Sequence, residues 1–349
     1  MNKTLKIIFI FSLAVFVLVS IGAKTQFLPI SLNAKEGDEW SIGIYKILSD
    51  NSSFQLTPYP GILNPVLSMK NVGCRNTKFV ADPFLVFEKG TYYMFFETLT
   101  SKGGNIGLAT SIEGINWEYQ KVVLKEPFHL SYPCVFKYEN QYYMIPESAE
   151  DKSIRLYKSE NFPYKWKLVK KILTGNDFVD STIFYYNDKW WLFTTISPST
   201  LNLYYALTPD GPWTLHPKSP IIKNDRSKTR SGGNILNING KLIRVAQNGY
   251  PRYGSSLRGF EILELTTNKY IEKEINKYPI LKFSNTGWNK DGMHHLSALK
   301  INDREWLACV DGNKRNMHYY IRLEIPKVFY NFVYMFSKKI SKFVELFKG

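Results

Sequence analysis

Apolar residues along this chain gather in pairs of short runs, each pair pinched by two or three polar residues. "FVADPFLVFEKGTYYMFFE" (Phe79 to Glu97) reads as two strands joined at Glu88-Lys89-Gly90. The same arrangement returns in "LSYPCVFKYENQYYMIPE" with its turn at Glu139-Asn140, and in "VDSTIFYYNDKWWLFTT" with its turn at Asn187-Asp188. Weaker copies turn at Asn239-Gly240 and at Asn302-Asp303. Strand-forming residues around such polar pairs predict β-hairpins, five in all.

Aligning the first strands brings Asp82, Tyr132, Asp180, Gly232 and His294 into register, at intervals of 50, 48, 52 and 62 residues. Each of the first three hairpins leads to another strand and then to a tryptophan. Trp117, Trp166 and Trp213 stand 49 and 47 residues apart. A period near 50 with about four strands per unit predicts propeller blades, and five units fill roughly residues 75 to 325. The expected fold is therefore all-β, a five-bladed β-propeller over residues 39–325. "WSIGIYKI" (Trp40 to Ile47) resembles "SIRLYKS" of the second unit, so this segment is expected to add an outer strand to the last blade and close the ring.

Two flanking segments follow other patterns. Ile7 to Ala23 is an apolar run of 17 residues behind Lys3 and Lys6, which predicts an uncleaved membrane anchor or an export signal within residues 1–24. With the basic end held inside, the bulk of the chain would be exported. Over residues 326–349, apolar side chains at 329, 332, 333, 336, 340, 343, 344 and 347 mark a C-terminal amphipathic helix, which would dock on the propeller or lie on an anionic membrane.

Composition agrees with a strand-rich globular protein. The 349 residues are 44% hydrophobic and include 23 Tyr, 23 Phe and 8 Trp. A formal charge of +15 suits an anionic partner, an acidic glycan or phospholipid surface, and export disfavours nucleic acid. Three cysteines cannot all pair, and Cys134 and Cys309 lie within apolar strand patterns as small buried hydrophobes, so no disulfide framework or metal site is expected.

In a propeller the innermost strands line a central channel. The residues leading the first strands (Asp82, Tyr132, Asp180, His294) and those trailing the second strands (Glu97, Glu147, Gln247, Asp311) are thus expected to converge there. Paired carboxylates suit glycosidic cleavage, in which one protonates the leaving oxygen and the other acts as base or nucleophile. Such acids also cap turns or pair with basic residues. Arg75, Arg230, Arg252 and Arg258 lie near the blade mouths and can clamp anionic groups, while Tyr250 and Tyr253 can stack on a sugar. His294 and His295, read as neighbours on a strand, would point to opposite faces, His294 inward. No glycine-rich phosphate loop is apparent, and the chemistry envisaged requires no cofactor.

The motifs "WSIGIY", "FVADPFLVF…YYMFFE", "IGLATS…G…WEYQ", "EPFHLSYPCVF…YYMIPES", "FVDSTIF…WWLF" and "GMHHLSA…WLACVDG" together resemble the N-terminal domain of the glucosamine inositolphosphorylceramide transferase family, over about residues 39 to 312. The resemblance implies a five-bladed propeller distantly similar to glycoside hydrolase families 43 and 32, and a link to surface-polysaccharide assembly. It also implies that Asp82 in "ADPF" corresponds to the hydrolases' blade-one base or nucleophile, with Glu147 and Asp180 the nearest candidates for the further acids. Tyr132 stands where a second-blade aspartate is expected, and Ser297 where an acid would follow the histidine pair. In the plant transferases, sugar transfer is implied to belong to a separate C-terminal domain. The reading favoured is a membrane-anchored propeller that binds and processes a glycan or glycolipid. A noncatalytic carbohydrate-binding or scaffold module and an anionic-lipid receptor are the alternatives.

Overall fold

The structure is a computed structural model that describes residues 30–49, 54–73, 76–196 and 199–323. Both flanking segments, and with them Cys74 and Arg75, lie outside the described residues. Among the described residues no helix is long and apolar enough to cross a membrane.

Five antiparallel sheets follow one another through residues 38–315. Blade one comprises β1 (Thr77–Glu88), β2 (Thr91–Thr100), β3 (Gly103–Ser111) and β4 (Glu118–Leu124). Blade two comprises β5 (Ser131–Tyr138), β6 (Gln141–Glu147), β7 (Ser153–Asn161) and β8 (Lys165–Thr174). Blade three is built on Phe178–Tyr186, Lys189–Ile196 and Thr200–Ala206, and blade four on Leu236–Ile238, Lys241–Asn248, Ser256–Leu265 and Tyr270–Glu274. Blade five takes Leu296–Lys300 and Glu305–Asn313 from late in the chain, and Trp40–Ser49 and Phe54–Pro58 from early in it. The early segment does close the ring, though Trp40–Ser49 is the third strand and Phe54–Pro58 the outermost. Separately, Ile30–Gly37 pairs antiparallel with Asn316–Leu323.

Local chemistry accounts for the hairpins. Lys89-Gly90, Glu139-Asn140, Asn187-Asp188 and Asn239-Gly240 all have positive φ, between 46° and 81°, which is the two-residue turn whose twist matches paired strands. The repeat tryptophans each fold the preceding loop back on itself. Their indole N–H groups donate to the carbonyls of Gly114, Pro163 and Pro209 respectively. The longer interval before His294 accommodates a 3-10 turn at Gly287–Asn289.

Strand alternation divides the core among the seams between blades. Met94 and Phe96 pack with Ile42, Ile44 and Cys309 of blade five, whereas Phe95 between them packs with Val135, Met144 and Trp166 of blade two. Cys134 and Cys309 are free thiols buried in this apolar material, and burial pushes the Cys134 thiol up to about 12. Between blades four and five the backbones themselves meet. Gly233 has φ +142°, and a Cβ there would lie 1.7 Å from the Leu296 carbonyl oxygen, so only glycine fits.

Candidate active site

Asp82, Tyr132 and Asp180 occupy equivalent places and share a conformation that non-glycine residues seldom adopt, with φ +52°, +44° and +46°. Each lies at a register shift of the innermost hairpin, between Ala81 and Phe84, Ser131 and Cys134, and Val179 and Thr182. Bulges of this kind re-aim a side chain, and left-handed non-glycine residues held by their surroundings concentrate at functional sites.

Two trailing acids hold the aspartate bulges. Asp311 of blade five accepts the Asp82 amide N–H at 3.2 Å, and Glu147 of blade two accepts that of Asp180 at 3.2 Å. Acids at the two ends of a hairpin therefore serve differently: the leading one sits on a bulge, and the trailing one in blades two and five binds the following blade's bulge.

Around Asp82 the neighbours are histidines. His294 Nε2 and His295 Nδ1 both lie 3.6 Å from Asp82 Oδ1, which itself accepts no hydrogen bond. His294 Nδ1 is 2.7 Å from Asp311 Oδ2, and both histidine amides donate to Asp311 Oδ1 at 3.0 Å. The histidine pair precedes Leu296–Lys300 rather than belonging to it, so the opposite-face rule does not govern it and both rings approach Asp82. His295 also packs edge-on against Phe84 and Tyr132, and Trp40 lies 4.1 Å from His294 between ring centroids.

Burial, reinforced by the charges of Asp180 and Asp311 against the pull of His294 and Arg230, pushes the Asp82 carboxyl up to about 7. Burial holds His295 down at about 4. His294 overcomes the opposite effect of burial and is raised by Asp311, whose own carboxyl stays below its ordinary range beside His294 despite its burial.

Asp180 has the same backbone and the reverse electrostatics. Arg230 Nε and Nη2 both bind it, and Gln247 Nε2 donates to its Oδ2 at 2.6 Å. Burial works against its charge, yet the guanidinium holds Asp180 below the usual carboxylate range. Glu147, 3.5 Å from Arg230 Nη2, is raised well above its usual range by burial and by the Asp180 charge. The guanidinium carbon of Arg230 stands 5.1 Å from the Tyr253 ring centre, and Tyr253 meets His294 at 5.2 Å, completing a run of contacts from blade one through blades five, four and three to blade two.

Most expected residues thus come together, with differences. Tyr132 is fully buried, and its hydroxyl is engaged by Thr182 at 2.8 Å and by Gly233, whose N–H donates to it at 2.7 Å; it ties three blades together and presents no group to a ligand. Arg252 is exposed on the Tyr253 loop, and Arg258 leaves the funnel to pair with Glu274 at 2.6 Å. Glu97 is buried with His129 Nε2 at 3.4 Å from its Oε1. Sequence reasoning missed Trp40, His129 and the approach of His295. The first two stood in the quoted motifs "WSIGIY" and "EPFHLSYP", but nothing local to them shows that the ring's closure turns them inward.

Asp82, His294 and Asp311 each offer one ligand atom within 4.8 Å of the others, the one such trio found among the described residues. Asp311 already accepts three backbone N–H groups and faces His294, so its donor set is that of a hydrogen-bonded clasp more than of a preformed cation cage.

Residues 33–313 match the family described as glucosamine inositolphosphorylceramide transferase 1, N-terminal. Glucosamine inositolphosphorylceramide transferase 1 of Oryza sativa subsp. japonica is 34% identical over 299 residues, which cover 79% of this chain and 40% of that protein. Its Arabidopsis thaliana counterpart is 34% identical over 324 residues, covering 84% and 42%. The matched part thus spans about 40% of these relatives' length. Among solved structures, β-1,2-mannobiose phosphorylase from Listeria innocua superposes with a TM-score of 0.56 at 12% identity, covering 76% of this chain and 96% of that one. An α-L-arabinofuranosidase from Podospora anserina superposes at 0.55 and 13% identity, covering 72% and 95%. At such identities the likeness is one of fold.

Proposed function

The chain belongs to the glucosamine inositolphosphorylceramide transferase N-terminal family, and from that premise we propose that its funnel binds and processes a glycan or glycolipid by acid–base chemistry on a glycosidic bond. The observation that carries this reading is the pair of equivalent, buried, bulged aspartates biased in opposite directions, Asp82 towards its protonated form and Asp180 towards its charge. Environments that push like carboxyl groups apart in this way give them separate roles. Asp82, whose Oδ1 is free of hydrogen bonds and which titrates near neutrality, is the proton-accepting carboxylate. Asp180, its charge neutralised by Arg230 and its Oδ2 hydrogen-bonded by Gln247, fixes the charge balance beside it. Tyr253, 40% exposed at the mouth, supplies a face for a sugar ring. The glycan-related name of the curated relatives supports the substrate class. Membrane anchoring through Ile7 to Ala23, with the propeller exported and engaged in surface-polysaccharide assembly, belongs to the same proposal.

A second reading, a noncatalytic recognition module, is favoured by one observation: the bulge of blade two carries Tyr132 in place of an acid. Incubating the protein with an array of bacterial glycans and glycolipids, followed by mass spectrometry of every bound ligand, separates the two. Products that vanish in Asp82→Asn support the enzyme. Binding without products in the wild type supports the recognition module.

A further inference from the structure

All five trailing positions carry a polar side chain, and four are engaged in holding the ring together, Thr195 of blade three by donating to the Thr229 carbonyl at 2.8 Å. Asp311 and Glu147 bind the following blades' amides, while Gln247 donates to Asp180 and to the Ser231 carbonyl. Glu97 does neither. It is 5% exposed, its Oε1 accepts no hydrogen bond, and the side chain facing that oxygen is His129, with Nε2 3.4 Å away.

His129 is held in one protonation form. Its Nδ1 accepts the Gly104 backbone N–H at 3.0 Å. An amide N–H only donates, so Nδ1 carries a lone pair and the neutral ring bears its proton on Nε2, the nitrogen 3.4 Å from Glu97 Oε1. A second ring proton would oppose the Gly104 N–H, and burial likewise lowers the imidazole's affinity for it. The loop is fixed by the His129 amide, which donates to Glu150 Oε2 at 2.9 Å. Gly104 permits the approach, because a Cβ there would lie 2.4 Å from the Leu130 carbonyl oxygen and 2.7 Å from His129 Cε1. The His129 side chain is 28% exposed.

We propose that Glu97 is the proton donor of the funnel, oriented by the neutral His129 imidazole and working opposite the Asp82 carboxylate. The proposal rests on the glycan-processing reading above. As the glycosidic C–O bond breaks, the Glu97 carboxyl proton passes to the leaving oxygen, which departs as an alcohol. The hydroxyl of water or of an acceptor sugar bonds to the anomeric carbon and yields its proton to Asp82. The Glu97 carboxylate so formed accepts the His129 Nε2–H, and proton exchange with solvent restores both acids. The titratable groups facing Glu97 are Asp82 from its own blade, Glu147 from blade two, Asp180 from blade three and Arg230 from blade four, with the Asp311–His294 pair beyond Asp82. Burial first, and then these acids, hold the Glu97 proton well above the ordinary glutamate range. His129 acts through Glu97 and is a positioning residue.

Two measurements on the full chain test this. Carbon-13 carboxyl spectra, with Glu97→Gln assigning the resonance, are expected to show Glu97 still protonated where the exposed glutamates are charged. Nitrogen-15 spectra, with His129→Gln as assignment control, are expected to show the neutral Nε2–H form. Titration of Glu97 with the ordinary glutamates, or a His129 proton on Nδ1, overturns the proposal whatever the turnover. On any glycan that yields products, Glu97→Gln should lower kcat about 100-fold. The same sugar carrying 2,4-dinitrophenol, which departs without a proton, should lose less than about tenfold. His129→Gln, which keeps an N–H, should retain more activity than His129→Ala. Equal losses on the two leaving groups overturn the donor role. An array without products combined with a raised Glu97 titration counts against the functional reading alone.

Discussion

The seam between blades five and one and the region where blades two, three and four meet use the same backbone device to opposite ends. Both hold a left-handed aspartate whose amide is bound by the preceding blade's acid. Asp82 then meets two histidines at 3.6 Å and no arginine, whereas Asp180 receives a guanidinium and an amide directly. A buried carboxyl without a strong partner takes up a proton, and one bound by arginine keeps its charge. Backbone repetition therefore sets where the acids stand, and the side chain contributed by the neighbouring blade sets what each can do.

Removing the arginine should break this contrast most severely. Arg230→Met leaves the Asp180 charge buried and unpaired, and a loss of about 3 kcal/mol is expected in urea denaturation. Arg230→Lys should recover only part of it, since a point charge lacks the fork that binds both oxygens. Asp180→Asn should cost about 2 kcal/mol, because Arg230 loses its main partner. Asp82→Asn should instead fall within about 1 kcal/mol of the wild type while abolishing turnover, as it removes a carboxyl whose charge the site disfavours.

A pH series sharpens the same contrast. The Asp82 carboxyl rises from 3.8 to about 7 on folding, so between those values the native state binds more protons than the unfolded one, and its contribution is lost as pH rises. His295, lowered from 6.5 to about 4, acts in the opposite sense between those values, its contribution being lost as pH falls. The difference between wild type and Asp82→Asn isolates the first effect: the wild type should lose stability relative to the variant from about pH 4 to pH 7. Asp180→Asn should differ chiefly in acid, where the lowered Asp180 finally takes a proton.

Smaller effects belong to the mouth. Tyr253→Ala should weaken glycan binding roughly fivefold, about 1 kcal/mol, in a titration, with little change in stability. Arg252→Ala, altering an exposed side chain, should change stability by less than about 0.5 kcal/mol in the same denaturation assay.

What the sequence made legible was local. Asn, Asp and Gly pairs announced the hairpins, and the spacing of Trp117, Trp166 and Trp213 announced the blades, because each depends on a few adjacent residues. Register likewise brought Asp82 and Asp180 to equivalent places. Their electrostatic difference was not legible, since it depends on Arg230 and His294, which stand 50 and 212 residues away from the acids they face. Tyr132 aligned with the aspartates and was expected to meet substrate, but its long ring carries the hydroxyl past the bulge into contact with Gly233. His129 required the ring to be closed before the Gly104 N–H could show which nitrogen holds the proton.

The most direct test is a carboxyl carbon-13 titration of aspartate-labelled protein, with Asp82→Asn and Asp180→Asn supplying the assignments. Expected is one aspartate titrating near pH 7 and absent from Asp82→Asn, together with a second that stays charged below the ordinary aspartate range and is absent from Asp180→Asn. If both titrate together in the ordinary range, the division of roles between the two regions is contradicted, and the acid–base chemistry proposed for the funnel loses its basis.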